Sequence, residues 1–114
     1  YYNKKENMKN ELKPTGALAS LPTKSHPYEI GAPYFIRTVT MINTGILKSV
    51  GDQELVLTNA CWIADTGCFS AQFELSGDDM FSDVEPWPSG NDVIIGRGAV
   101  IDATKLNSLP TSQK

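Results

Sequence analysis

The chain has 114 residues, of which 40% are hydrophobic and 9% aromatic, so it can bury one compact core. It has no stretch near the roughly 18 consecutive apolar residues that a membrane span requires. Residues 1–27 carry five lysines and two glutamates, a balance of +3, whereas residues 28–114 carry five basic and eleven acidic residues, a balance of −6. Nucleic acid is not expected as a partner, because phosphate binding requires a basic face and the folded part has the opposite sign.

The first segment, residues 1–27, is predicted to be a flexible tail. Prolines at positions 14, 22 and 27 interrupt any helix longer than one loose turn around residues 17–21. The run Lys4-Lys5-Glu6-Asn7 is what a purine-rich ribosome-binding site would yield if it were translated. We therefore expect the native start at Met8, with residues 1–7 derived from upstream sequence.

Three strands joined by tight turns are predicted next. Residues 34–42 are rich in β-branched and aromatic types, which favour strands, and residues 43–45 (Asn-Thr-Gly) are typical of a hairpin turn. Residues 46–50 form a second strand, and the glycine-first pair at 51–52 forms the next turn. A third strand covers residues 54–63 and is apolar on both faces, which is typical of a bent strand in a small barrel.

The hydrophobic spacing changes after the third strand. Phe69 and Phe73 stand four residues apart, which predicts a short helix over residues 67–76. We expect Asp65 or Thr66 to cap the start of this helix and Gly77 to close its end. An acidic loop and Pro86-Trp87-Pro88 then lead to a final hairpin, with strands at 93–95 and 99–103 and a turn at Gly96-Arg97-Gly98.

These elements predict a mainly β protein, a small five-stranded SH3-like or Sm-like barrel with one short helix and a flexible N-terminal tail. The barrel covers residues 28–108, and residues 109–114 form a polar C-terminal tail. Cys61 and Cys68, with a single distant histidine, cannot form a Cys/His zinc site. A disulfide across the turn between them is open, but nothing in the sequence requires it, and we expect two free, largely buried thiols in a reducing compartment. The acidic loop lacks the alternating order of a calcium loop, and no metal or cofactor is expected.

One motif resembles an active site. Asp65-Thr66-Gly67, together with residues 94–98 (Ile-Ile-Gly-Arg-Gly), resembles the two signatures of retroviral-type aspartic proteases. That resemblance implies a dimer in which two such aspartates share a proton to activate water. Only 28 residues separate Gly67 from Gly96, too few for the flap that such a protease needs. We therefore interpret Asp65 as a helix cap and predict that the protein is not an enzyme.

The chain also resembles a wider family. The stretches that carry the likeness are YFIRTVT, CWIADTG and GRGAVIDAT, at residues 34–40, 61–67 and 96–104. Over residues 28–113 the chain resembles a set of small uncharacterised proteins of bacterial genomes and their phages. Residues 35–63 more distantly resemble the core of Sm-like proteins, which implies a barrel whose edge strands pair into rings.

Two functions remain open from the sequence, beside the retroviral-type aspartic protease that the Asp65-Thr66-Gly67 resemblance implies. The first is a non-enzymatic interaction or assembly module, phage- or mobile-element-encoded, that binds itself or a protein partner in the host cytoplasm or the virion. Trp87 favours it, because a rigid aromatic on a loop costs little entropy to present to a partner, unless the ring folds down as a lid on the barrel. The second is a protein that binds a nucleotide-like anion where the 65–69 corner meets the 96–98 turn. The candidate binding residues are Arg37, Asp65, Thr66, Trp87 and Arg97.

Overall fold

The computed structural model describes residues 26–114 of the chain. The tail predicted over residues 1–27 lies outside the described residues except for its last two. The turn around residues 17–21 and the proposed start at Met8 also lie outside them.

The described residues form one antiparallel sheet of six strands with one short helix. The order across the sheet is β4-β3-β2-β1-β6, and β5 also pairs with β3. With 46% strand and 11% helix, the prediction of a mainly β protein is confirmed. The bounds are β1 (Pro33–Thr38), β2 (Ile42–Val50), β3 (Glu54–Asp65), α1 (Phe69–Gln72), β4 (Asp83–Pro86), β5 (Val93–Gly96) and β6 (Val100–Lys105).

The long strand β3 organises the sheet. Strand β2 pairs along one side of it. On the other side, residues 54–57 pair with β5 and residues 61–65 pair with β4. Between these two ladders Asn59 has a left-handed φ of 52°, and the register with β2 shifts opposite it, between Thr44 and Ile46. This irregularity is a β-bulge, which bends the strand and re-aims its side chains.

Apolar side chains pack on both faces of the sheet, because successive residues of a strand point in opposite directions. Tyr34 and Phe35 accordingly belong to different clusters. The first cluster joins residues of β1, β2, β3 and β5, among them Ile36, Leu47, Leu57 and Ile95. The second lies under β4, the segment after β3 and the chain end, and includes Cys61, Ile63, Phe81, Val84 and Leu106. Strand β3 is apolar on both faces because it contributes side chains to both clusters, Leu57 to the first and Ile63 to the second.

The first hairpin turn differs from the prediction. Asn43, Thr44 and Gly45 lie inside β2, and the chain reverses at residues 39–41 instead. The Thr38 N–H donates to the Met41 carbonyl over 2.7 Å. Gly45 is required for close packing rather than for a turn, since a Cβ there would lie 3.0 Å from Cβ of Leu57. The chain also turns after Val50, but over residues 51–53 rather than through the predicted pair at 51–52. The Gly51 N–H donates to the Glu54 carbonyl over 2.8 Å, and Gly51 lacks the positive φ of a glycine-first turn.

The predicted final hairpin is also wrong. Strand β5 pairs with β3 and strand β6 pairs with β1, so the two are not neighbours in the sheet. A 3-10 turn at Arg97–Ala99 carries the chain from one to the other. Strand β4 is absent from the sequence-based prediction, because an Asp-Val-Glu-Pro sequence has little intrinsic strand preference.

The last residues, which the sequence sets apart as a polar tail, pack on the domain. Oδ1 of Asp78 accepts the N–H groups of Thr111 and Ser112 over 2.7 and 3.0 Å. Lys114 and Val84 exchange two backbone hydrogen bonds of 2.9 and 3.3 Å. The donated N–H groups stabilise the carboxylate and hold the pKa of Asp78 below its usual value. This segment therefore lies along the outer edge of β4. No helix among residues 26–114 is long and apolar enough to cross a membrane.

Candidate functional site

Trp87 begins the loop that joins β4 to β5. Its backbone N–H donates to the Ala60 carbonyl over 3.0 Å, and its indole Nε1 donates to Oδ1 of Asn43 over 2.9 Å. Asn43 is only 4% exposed, whereas Trp87 is 40% exposed. The polar atom of the indole is thus satisfied inside the protein, while part of the ring faces solvent.

A cleft of about 540 Å³ opens beside Trp87. Its lining comes from residues 86–91 at the start of the β4–β5 loop, residues 59–61 of β3, and three residues near the chain end, together with Gly31, Pro33 and Ile46. The three are Ser108, Leu109 and Thr111. Among residues 26–114, no charged side chain lines the cleft. The cleft lies where β3 has no ladder partner between β4 and β5, so the interruption in the sheet edge creates the space.

The two cysteines have different surroundings. Both are free; Cys61 is buried and lines the cleft, whereas Cys68 is exposed. The expectation of two buried thiols is therefore wrong for Cys68. Sγ of Cys61 donates to the Pro110 carbonyl over 3.4 Å. Burial, followed by the negative charge of Asp78, raises the pKa of the Cys61 thiol. A protonated thiol is a poor nucleophile, so Cys61 is a packing residue.

Arg37 is bound within the protein. Its Nε donates to Oδ1 of Asp102 over 2.8 Å and its second nitrogen pairs with Oδ2, which makes a bidentate ion pair across β1 and β6. The guanidinium carbon also lies 5.6 Å from the centre of the Phe69 ring. The ion pair raises the pKa of Arg37 and lowers that of Asp102. Arg37 is therefore not available to neutralise an anion without breaking this pair.

Arg97 has a different structural role. Its Nη1 donates to the Gly51 carbonyl over 2.7 Å, and its backbone N–H donates to the Gln53 carbonyl over 2.9 Å. Both acceptors lie in the turn between β2 and β3. Arg97 thus fastens that turn to the start of the 3-10 turn after β5.

Asp65 and Thr66 stand at the corner where β3 ends. Oδ1 of Asp65 accepts the N–H of Gly67 over 2.9 Å, which is an Asx turn. The helix begins later, its N-cap is Cys68, and no side chain in the described part of the chain caps it. The prediction that Asp65 or Thr66 caps α1 is therefore wrong, because the Asx turn closes before the helix starts. Gly77 does not close the helix either, since α1 ends at Gln72.

The predicted anion pocket does not form within the described residues. Gly96 pairs with Glu54 at the first position of β3, while Asp65 is its last residue. The twelve residues of β3 hold the 65–69 corner and the 96–98 turn apart. The same separation keeps apart the two segments that resemble protease signatures. We call the cleft beside Trp87 the Trp87 cleft. Of the five predicted site residues, Trp87 itself lines this cleft and the other four do not.

Three asparagines around Trp87 are missed by the sequence-based prediction of site residues. Asn43 precedes Thr44 and Gly45, so the sequence predicts it as part of a turn. No sequence pattern distinguishes Asn91 from other loop residues. Asn59 does carry a signal, because it interrupts an otherwise apolar face of β3.

The residues described contain no group of three or more His, Cys, Asp or Glu side chains that could hold a metal ion. No family model, no curated protein and no solved structure matches the chain.

Proposed function

We propose that the protein is a non-enzymatic assembly module whose copies associate through two strand edges, those of β5 and β6. The observation that carries this proposal is an exposed isoleucine on each edge. Ile94 of β5 is 71% exposed and Ile101 of β6 is 62% exposed. Large apolar side chains on an edge strand favour pairing with another chain.

The proposed fold is a partly open SH3-like or Sm-like barrel. Strands β5 and β6 lie at different borders of the sheet, yet both pack on the same apolar cluster. Val93 and Ile95 of β5 belong to this packing, as do Val100 and Ala103 of β6. A flat sheet would hold its borders apart, so shared packing supports a strongly curled one. In this proposal β4 and the helical segment are additions on the outer face.

The two edges are available for pairing. Within residues 26–114, β5 pairs only with β3 and β6 pairs only with β1. Exposed side chains of the neighbouring turn extend the apolar surface beside Ile101: Val39 is 73% exposed and Met41 is 48% exposed, and all three border one shallow groove. Contiguous apolar surface of this kind is typical of protein interfaces.

The geometry favours a head-to-tail contact. The two edges differ in sequence and position, so β5 of one copy would pair with β6 of the next. Such a heterologous contact generates a ring if the rotation closes and a filament if it does not. The resemblance to uncharacterised proteins of bacterial genomes and phages implies that this assembly would act in the host cytoplasm or the virion. A different protein partner is the alternative occupant of either edge.

Light scattering coupled to size exclusion tests the proposal on the full chain. We expect an oligomer for the unmodified protein, and monomers for Ile94→Lys and for Ile101→Lys. Leu75→Lys is the matched control, because Leu75 is also an exposed apolar residue, at 44%, and lies on neither edge. A monomer at high micromolar concentration for the unmodified protein would refute the proposal.

Mixing the two variants tests the head-to-tail geometry. The Ile94→Lys protein keeps an intact β6 edge and the Ile101→Lys protein keeps an intact β5 edge. Their equimolar mixture should therefore form a one-to-one dimer, although each alone is monomeric. Dimers formed by Ile94→Lys alone would instead indicate a symmetric β6–β6 contact.

A further inference from the structure

The lining of the Trp87 cleft is polar without being charged. The side chains of Asn59, Ser89 and Asn91 line it and form no hydrogen bond within residues 26–114. Apolar surface lies beside them, from Trp87 and Leu109. A concave site with an aromatic side chain and a few convergent polar groups is typical of a ligand site.

The charge of the domain excludes several ligand classes. An anion or a nucleic acid would need a basic groove, whereas no cationic side chain of the described residues lines the cleft and residues 28–114 have a charge balance of −6. No carboxylate of the described residues lines it either, so a cation would gain no ion pair in the cleft and would contact only the ring of Trp87. The ligand that matches this surface is neutral.

The hydrogen bond between the Trp87 indole and Asn43 further limits the class of ligand that the cleft can bind. Because the indole Nε1–H already donates a hydrogen bond to Oδ1 of Asn43, it is not available to donate to the carbonyl of a bound peptide. What the residue offers is the exposed part of its ring. Its rigid position, with two hydrogen bonds to the sheet, means that little ordering is needed when a ligand stacks on it.

We propose that the Trp87 cleft is a binding site for a neutral saccharide. One face of a pyranose ring presents C–H groups that pack on the electron-rich face of an indole. Sugar hydroxyls both donate and accept, and the amides of Asn59 and Asn91 also offer a donor and an acceptor each. The left-handed backbone of Asn59, with φ 52°, fits a position held for binding, since such residues concentrate at ligand sites.

This site is independent of the assembly proposal. The cleft is built by the β4–β5 loop, the bulge of β3 and residues 108–111, and neither Ile94 nor Ile101 lines it. Loss of saccharide binding and loss of assembly can therefore be measured separately.

Fluorescence titration of the full chain tests the proposal. In a Trp62→Phe background Trp87 is the only tryptophan, so its emission reports the cleft. The probes are neutral hexasaccharides built from glucose, N-acetylglucosamine, galactose and mannose. We expect a saturable shift of the Trp87 emission with at least one of them. The shift should not depend on salt concentration, because a neutral ligand binds without releasing counterions.

The variants use the same background. Asn91→Ala should weaken binding by about tenfold, the loss of roughly one hydrogen bond, whereas Asn107→Ala is the matched control, an exposed asparagine outside the cleft. Trp87→Ala should abolish binding, measured by calorimetry, with the melting temperature recorded to confirm folding. The proposal is overturned if none of the four hexasaccharides binds, if Asn91→Ala and Asn107→Ala bind equally well, or if a proline-rich peptide or oligothymidylate shifts the emission where the saccharides do not.

Discussion

Replacing Trp87 with phenylalanine should destabilise the protein by about 1–3 kcal/mol, the usual cost of leaving one buried polar group without its partner. The substitution keeps an aromatic ring but removes the Nε1 donor. Oδ1 of Asn43 would then lose its 2.9 Å hydrogen bond. Because Asn43 is only 4% exposed, water cannot readily replace the donor. The melting temperature should fall by roughly 4–8 °C per kcal/mol for a domain of this size.

Urea denaturation followed by far-ultraviolet circular dichroism measures this loss without relying on tryptophan emission. Trp62→Phe is the matched control, because the Trp62 indole forms no hydrogen bond within the described residues and the same ring atoms are deleted. In a double-mutant cycle, Asn43→Ala with Trp87→Phe should cost less than the two separate changes together. Equal destabilisation by the two Trp→Phe substitutions would contradict the reasoning, as would strict additivity in the cycle.

Three further predictions concern residues whose roles the structure changed. Gly45→Ala should cost about 1–3 kcal/mol by crowding Leu57, while Gly98→Ala, with nothing within 4 Å of the added Cβ, should be neutral in the same urea assay. Asp78 has a lowered pKa, so its stabilising contribution is present above its ordinary value of 3.8 and is lost as pH falls through the lower folded value. Urea midpoints at acidic and neutral pH should therefore converge more for Asp78→Asn than for the unmodified protein. Asp65 stands opposite Asp83 in the sheet, so Asp65→Asn should keep the turn to Gly67 and raise stability by about 0.3 kcal/mol, a gain that 1 M salt removes.

The class of the fold follows from local sequence preferences. β-branched and aromatic residues predicted three strands between residues 34 and 63, and the third agrees closely with β3 (Glu54–Asp65). The glycine-first pair at 51–52 predicts a turn after Val50, and the chain does reverse there, although over residues 51–53 and without a positive φ at Gly51. Such features depend on residues that are adjacent in the chain, so they can be predicted directly from the sequence.

The errors arise where distant parts of the chain meet. Gly45 is typical of a turn, but its small size is required by Leu57 across the sheet. Strand β4 has poor intrinsic preference and forms because β3 offers it an edge and Lys114 pairs with its other side. No local pattern contains those partners.

The candidate site divides in the same way. Trp87 was recognisable from the sequence, because a tryptophan between two prolines is a rigid aromatic on a loop. Its hydrogen-bond partner Asn43 is 44 positions away, and the bulge at Asn59 exists only because β2 and β3 pair out of register there. The sequence predicts Arg37 and Arg97 as anion-binding residues. In the structure their guanidinium groups bind Asp102 and the Gly51 carbonyl instead. Residue type and local context limit which side chains are able to bind a ligand. Which of them are available depends on the fold, because hydrogen bonds between distant residues satisfy some polar groups and leave others facing the cleft.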